Sequence, residues 1–363
     1  LLIPVYNDWE SLLRLLQEID ENIGVIKKTN FSVFIINDGS DNKDFFRLRV
    51  QALELKNIKL VEIMHLKENQ GHAKAITNGL GFIYARLSHK PMNEEKYDYV
   101  IPMDGDGEDR PEELFLFCKE IKLNPDRIIL GKRVKRSEGI IFRICYSLHK
   151  FLTAIYLGRY INFGNYVCLP KYMVNNMVKN GFSQNSFSGT LFQELDGSPY
   201  PPIEIPSVRG ERYHGPSKMS FLNLLKHSIM IFSVNYTKVR DRVVISNIAL
   251  LFSSAAVYFE SRMSSLSLFL FIIVILNSSF YLIVKFFLNK IITEIKNKKR
   301  TVPENIDTPS ALFDSVALTL EPNHHYFNDL LEMHDLIINY YTDGTRDDKE
   351  AFKSFFDAEG LIR

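Results

Sequence analysis

Asp104-Gly105-Asp106 carries the strongest chemical signal in this chain. The two carboxylates stand on alternate residues where the apolar run Tyr99-Val100-Ile101-Pro102-Met103 gives way to the acidic turn Gly107-Glu108-Asp109. A hard divalent cation such as Mg2+ or Mn2+ prefers oxygen ligands and usually bridges substrate phosphates, so the pair implies a nucleotide diphosphate. An isolated Asp-x-Asp is weak evidence, since most are solvated loop carboxylates. The weight of this one comes from its neighbours: Asp8 closing the opening run Leu1-Leu2-Ile3-Pro4-Val5-Tyr6-Asn7-Asp8, Asp38 within Asn37-Asp38-Gly39-Ser40, and the turn Asn69-Gln70-Gly71.

These residues need elements to position them. The apolar opening predicts a strand, after which Leu12, Leu15, Leu16, Ile19 and Ile23 recur at helical spacing. Residues 31–36 predict a second strand, running into turn chemistry able to set a carboxylate and backbone amides beside a ligand. Residues 58–63 predict a third strand, 71–86 a helix, 97–103 a fourth strand and 111–123 a helix with Pro near its start. Strands alternating with helices imply right-handed crossovers and an α/β, Rossmann-like, mainly parallel sheet with ligands at the carboxyl ends of its strands. Asp8, Asp38, Asp104 and Asp106 all fall on that edge.

In the order and spacing of Pro4 to Asp8, Asn37 to Ser40, Asn69 to Gly71 and Asp104 to Glu112, the sequence resembles family 2 glycosyltransferases of the GT-A fold. Within them it is similar to the polyprenyl-phosphate glycosyltransferases, which include dolichol-phosphate mannose synthases and bactoprenol glucosyltransferases. That likeness rests on Arg212-Tyr213-His214-Gly215-Pro216-Ser217-Lys218, an Arg and a Lys around a Gly and a Ser just before a membrane-proximal segment. It ends before the hydrophobic segments. The resemblance implies a hexosyltransferase with a UDP- or GDP-sugar donor, a polyprenyl phosphate acceptor and Mg2+ or Mn2+. It implies Pro4, Tyr6, Asp8, Ile36 and Asp38 around the nucleoside, and Asp104, Gly105 and Asp106 at the metal and diphosphate. Arg133, Arg143 and Ser147 would hold the lipid phosphate, with Arg212 and Lys218 closing over the diphosphate. Glu108 departs from the family pattern, which often has Gln there, and either joins the metal ligands or only adds charge. Asn162-Phe163-Gly164-Asn165 departs more, standing where relatives often carry an acidic segment facing the sugar.

Bulk properties agree with an enzyme at a lipid bilayer. A net charge of +1 over 363 residues argues against nucleic acid as a partner. Cys118, Cys145 and Cys168 are odd in number and lack metal-ligand spacing, which predicts reduced thiols. With no Met at position 1, native residues before Leu1 are expected. Residues 243–259 and 264–284 are nearly uncharged apolar stretches that predict a transmembrane helical hairpin. Lys238, Arg240 and Arg242 precede it and Lys285, Lys290, Lys296, Lys298, Lys299 and Arg300 follow it, so both ends, and the catalytic domain, are expected in the cytoplasm. Before the hairpin, Leu222, Leu225, Ile229, Phe232 and Tyr236 share one helical face, suited to lying on the bilayer or to packing on the catalytic domain. The expected organisation is a catalytic domain over 1–217, juxtamembrane helices over 218–242, a hairpin over 243–288 and a mostly helical tail over 289–363. Within the tail, Phe327, Leu330, Leu331, His334, Ile338 and Tyr341 trace an amphipathic helix. Its His324, His325 and His334 are read as surface histidines, and homo-oligomerisation stays open.

An inverting transfer to a sugar hydroxyl needs a general base, because the alcohol loses a proton as the new bond forms. A polyprenyl phosphate oxygen is already anionic and needs cations instead. The expected reaction is therefore metal-dependent inverting transfer to that phosphate. Two alternatives stay open: transfer to a saccharide hydroxyl, with Glu194 or Asp196 as base, and a catalytically silent sugar-nucleotide-binding subunit.

Overall fold

All four residues of β1 (Leu2–Val5) are buried, as expected of a strand covered on both faces of a parallel sheet. The computed structural model describes residues 1–41, 53–89, 98–135, 140–215, 221–261, 264–300 and 313–316. β1 pairs in parallel with β2 (Phe31–Asn37), Leu2 lying opposite Phe34, and β2 pairs in parallel with β3 (Ile58–Leu66). On the other side of β1 a parallel bridge joins Leu2 to Pro102, with the Leu2 N–H on Ile101 O and the Met103 N–H on Leu2 O, each at 3.0 Å. This extended stretch carries the chain from β4 (Tyr99–Val100) to Asp104. Beyond it, β6 (Phe163–Pro170) runs antiparallel to both β4 and β5 (Ile129–Lys135), and β5 pairs in parallel with β7 (Ile203–Val208). The strands thus form two four-stranded sheets, β8-β3-β2-β1 and β4-β6-β5-β7, linked by the Leu2–Pro102 bridge, where β8 (Phe313–Val316) lies antiparallel on β3.

Period-two alternation divides the strand side chains between two cores. Leu2, Phe34 and Ile36 face one, under α2 (His72–His89), and Ile3, Val5, Val33 and Ile35 face the other, under α1 (Trp9–Ile23). The five apolar positions that predicted α1 are all buried, and each such side chain contributes roughly 1.5–3 kcal/mol. Asp20 on the same helix ties α1 to the start of β3, accepting the backbone N–H groups of Lys56, Asn57 and Ile58 at 2.7–2.9 Å. Burial pushes its pKa upward, but these amides outweigh that and hold it below the usual carboxylate range. The remaining helices of the domain are α3 (Leu114–Leu123), α4 (Ile140–Leu157), α5 (Lys171–Lys179) and α6 (Phe187–Glu194). Cys118 and Cys168 are buried free thiols.

Three helices follow: α7 (Phe221–Val234), α8 (Tyr236–Ser261) and α9 (Ser264–Arg300). The stretches Tyr236–Phe259 and Ser265–Ile295 have mean hydropathies of 1.6 and 2.4 and are long and apolar enough to cross a membrane. They pair antiparallel through a polar seam, in which Ser254 meets Ser267, Asn247 donates to Ser278 Oγ at 3.1 Å, and Asn277 donates to Ser246 Oγ and Asn247 Oδ1 at 3.3 and 3.2 Å. Tyr156 of α4 donates to Asn277 Oδ1 at 2.7 Å and stacks on Phe280, joining the α/β domain to the hairpin.

Three expectations change here. α9 continues unbroken through residues 289–300, which were assigned to the tail, because its basic residues are strong helix formers. The face proposed for α7 splits: Ile231 and Phe232 are buried and Asn235 donates to Gly189 O at 3.0 Å, whereas Leu222 and Leu225 stay exposed. Of the tail, the described element is the strand β8, which adds to the free edge of β3; the helix expected over 327–341 lies outside the described residues.

Candidate active site

The carboxyl ends of β1, β2 and the Met103 stretch meet at one edge, and the acidic residues gather there. Asp104-Gly105-Asp106-Gly107 turns there under tight steric limits. A Cβ on Gly105 would lie 2.9 Å from Val5 Cγ2, and Gly107 has φ +85° with the Tyr213 ring 2.3 Å from where its Cβ would be. The segment after β7 closes over this turn by two backbone bonds, Gly210 N–H to Glu108 O at 2.8 Å and Tyr213 N–H to Asp106 O at 3.0 Å. Tyr213 anchors this clasp to α1: its hydroxyl bonds Glu18 and its ring lies under the Arg14 guanidinium, 4.2 Å from the centroid.

The clasp delivers two arginines into the acidic edge. Arg212 spans Asp8 and Asp106, with Nη2 and Nη1 each 2.5 Å from a carboxylate oxygen. Arg209 pairs with Glu108 and stands 3.8 Å from Asp104 Oδ2. All six side chains are largely buried, 14–18% exposed, so each charge depends on its partner. Removing one partner of such a buried pair typically costs about 3–5 kcal/mol. On the opposite flank His72, opening α2, places Nε2 3.3 Å from Asp104 Oδ1 and 2.7 Å from Asn165 Nδ2. Burial pushes the His72 pKa down, but Asp104 more than offsets this and the net shift is upward. Asp104 is pushed up by burial, yet His72, Arg209 and Arg133 hold it well below the ordinary range. Asp106 moves the other way, to about 6, through burial and the adjacent Asp104. Asp109 is fully desolvated, accepts the Asp104 N–H at 2.9 Å and has a strongly raised pKa, which suits a neutral acid beneath the turn.

Asp8, Asp104, Asp106, Glu108 and Arg212, all named from the sequence, thus meet at one edge. Asp38 is buried on the same edge, but both its oxygens accept backbone N–H groups, from Gln70 at 2.7 Å and Gly71 at 2.9 Å. Pro4 is buried and Tyr6 exposed at the end of β1, whereas the Ile36 side chain packs in the core with Leu2. Arg133 on β5 lies against the backbone of Gly164 and faces Asp104 electrostatically. Ser147 is exposed on α4, one turn beyond Arg143 on the same helix; the Arg143 side chain and all of Lys218 lie outside the described residues. Glu194 accepts from Asn180 at 2.7 Å, and Asp196 pairs with Arg159 and Lys238, so both fallback bases are engaged in structural contacts.

Two residues of the site were not singled out from sequence. His72 follows the flagged Asn69-Gln70-Gly71 turn, and Arg209 stands three residues before Arg212; a basic residue beside a flagged motif was the available signal. Among the described residues no three His, Cys, Asp or Glu side chains form a ready-made metal cluster. A cavity of about 540 Å³ is lined by Arg14, Glu18, Arg110 and Tyr213 on the clasp and α1.

Comparison with known proteins places this geometry. The chain is 25% identical over 228 residues to an undecaprenyl-phosphate 4-deoxy-4-formamido-L-arabinose transferase of Klebsiella pneumoniae, covering 62% of this chain and 63% of that protein. It is 23% identical over 242 residues to the uncharacterized glycosyltransferase YkcC of Bacillus subtilis, covering 63% and 65%. The mannosyltransferase PcManGT of Pyrobaculum calidifontis, solved with GDP-Man and Mn2+, superposes with a TM-score of 0.40 at 13% identity over 79% of this chain and 85% of its own. The glycosyl transferase family 2 model matches residues 1–162, the segment that holds Asp8, Asp38, Asp104, Asp106, Arg133 and Arg143. Residues 1–162 thus match the glycosyl transferase family 2 model, and they supply the parallel strands β1, β2 and β3 and the acidic edge.

Proposed function

We propose that this chain is an inverting glycosyltransferase, moving a sugar from a UDP- or GDP-sugar to a polyprenyl phosphate at the cytoplasmic face of a bilayer. The observation that carries the reading is the acidic edge, clamped by arginines, in a domain seated on an apolar hairpin through α4 and α7. The similarity to a relative named as an undecaprenyl-phosphate transferase supports the acceptor class.

Asp104 and Asp106 suit a hard cation, since both offer oxygen donors and Asp104 Oδ1 is buried with the His72 imidazole, 3.3 Å away, beside it. Bound Mg2+ or Mn2+ would neutralise charge on the leaving diphosphate. The protein's own cations do the rest. Arg212, with Lys218, exchanges its carboxylate partners for donor phosphate oxygens and draws the clasp over the diphosphate. Arg133, Arg143 and Ser147 orient the acceptor phosphate, whose oxygen attacks the anomeric carbon opposite the diphosphate. The carbon–oxygen bond to the diphosphate breaks, its electron pair leaves with that group, and the configuration inverts. No proton has to be removed, which agrees with the structural engagement of Glu194 and Asp196.

The test is incubation of purified protein and Mg2+ or Mn2+ with a panel of nucleotide sugars and short-chain polyprenyl phosphate, with products identified by mass. A glycosyl-phosphate lipid is the expected product; transfer only to a saccharide hydroxyl overturns the acceptor assignment. Basic residues on both sides of the hairpin support cytoplasmic ends. Protease added to sealed inside-out vesicles should then cut both the catalytic domain and the chain after Arg300.

A further inference from the structure

Glu108 and Arg209 form an ion pair that the transfer reaction described above does not use. Both side chains are largely buried, 15% and 16% exposed, in the wall of the acidic edge. Their separation is set by the backbone, because the Gly210 N–H bonds Glu108 O and a Cβ at Gly210 would stand 2.9 Å from Gly107 O. Arg209 can leave Glu108 only by rotating its side chain, and its second anionic neighbour is Asp104 Oδ2 at 3.8 Å. Its Nε is buried and donates to nothing, as is the Nε of Arg212 beside it. Each guanidinium thus keeps an unspent donor, Arg209 near Asp104 and Arg212 on Asp106. A guanidinium fork matches phosphate oxygens in a way that a point charge does not.

We propose that Arg209 is a second diphosphate-binding cation of the donor site, and that Glu108 is its positioning residue and not a metal ligand. The proposal rests on reading the edge as a nucleotide-diphosphate site. In the ligand-free cleft Glu108 holds Arg209 at the lip of the acidic pair. When a diphosphate enters, the Arg209 side chain turns from Asp104 to a phosphate oxygen while Glu108 keeps its planar group in orientation. Asp104 and Asp106 are then left as the chain's metal-binding carboxylates. Glu108 and Arg209 thus act as one unit, 101 residues apart in sequence.

Two binding measurements on the full chain in detergent separate the roles. Free Mn2+ counted by electron paramagnetic resonance, without nucleotide, should give Glu108→Gln an Mn2+ affinity within about twofold of wild type, whereas losing even a residue that only orients a metal ligand typically weakens a site by roughly 10–100-fold. A tenfold loss makes Glu108 a metal ligand and overturns the proposal. Calorimetry with UDP and GDP at saturating Mn2+ should show Arg209→Ala weakening the better of the two by about tenfold, with UMP and GMP little changed, because a charge-assisted contact to the second phosphate is lost. Arg209→Lys should recover only part of it. Adding Glu108→Gln to Arg209→Ala should cost nothing further, the sign of a single unit. Should Arg209→Ala fail to fold with Glu108 left unpaired, the doubly neutral Glu108→Gln/Arg209→Gln protein must show the same selective loss. Wild-type protein that binds neither UDP nor GDP overturns the donor-site reading together with this one. Wild-type binding that Arg209→Ala leaves unchanged overturns this proposal alone.

Discussion

The acidic edge and the seam of the hairpin both bury polar atoms, and they satisfy them in opposite ways. At the edge, Asp8, Asp104, Asp106 and Glu108 share the two guanidiniums of Arg209 and Arg212, full charges that respond to any cation or anion brought beside them. In the hairpin, Asn247, Asn277, Ser246, Ser254, Ser267 and Ser278 answer one another with neutral amides and hydroxyls. A charged pair out of water is expensive to strand and strongly responsive to ligand charge. A neutral amide pair asks for no counterion and mainly sets which turns of two helices face each other. The difference teaches where exchange is built in: the edge is arranged to trade partners, the seam to keep them.

The largest expected effect is at the edge. Asp106→Asn should lower transfer on the order of 10²–10³-fold with an unchanged fold by circular dichroism, since it removes a carboxylate from the site that offsets leaving-group charge. Full activity of that variant, or of wild type in excess chelator, breaks the comparison at its charged end. Next comes the acceptor side. Arg133→Ala should raise the KM for polyprenyl phosphate roughly tenfold while nucleotide-sugar KM holds, with Lys rescuing only in part. Glu194→Gln and Asp196→Asn should leave kcat within a small factor; a collapse on losing either carboxylate would move the acceptor from phosphate to hydroxyl.

A third effect lies away from both regions and calibrates them, a lone buried carboxylate satisfied by amides. Asp20→Ala should destabilise the folded domain by about 1–3 kcal/mol in denaturant titrations. Because the folded-state pKa of Asp20 is lowered, its contribution is fully present above the ordinary carboxylate pKa and fades as pH falls through the lowered value. Wild-type stability should therefore decline on acidification below about pH 4 with a component that Asp20→Asn lacks; identical acid profiles would contradict the amide-bound carboxylate. The smallest effect belongs to the seam. Asn277→Ala should cost only about 0.6 kcal/mol per hydrogen bond lost, read from unfolding in mixed micelles. A loss of several kcal/mol would show that the seam behaves like the edge.

Much of this molecule is legible locally. The apolar spacing of α1 and the runs behind β1, β2 and β3 lie within single elements, where side-chain period and burial coincide. Asp104 and Asp106 are legible for the same reason, as two carboxylates two residues apart at a strand end. The packing of α7 is less so, since the docking of Phe232 under α4 and α6 overrides the helical face on which it falls. Ile36 shows the same limit: a residue two positions before Asp38 turns its side chain into the core because strand side chains alternate.

Taken by itself, the sequence determined the α/β order of elements, the acidic pair, the basic motif after β7 and two segments apolar enough to span a bilayer, because each is encoded by neighbours along the chain. Only the tertiary structure decided that Arg212 would reach Asp8 across 204 residues, that Arg209 would hold Glu108, that Asp38 would be sealed by the Gln70 and Gly71 amides, and that Tyr156 would meet Asn277 of the hairpin. Those partnerships form where strand ends and a clasp converge, and charge pairing across such distances depends on backbone placement that no local pattern records.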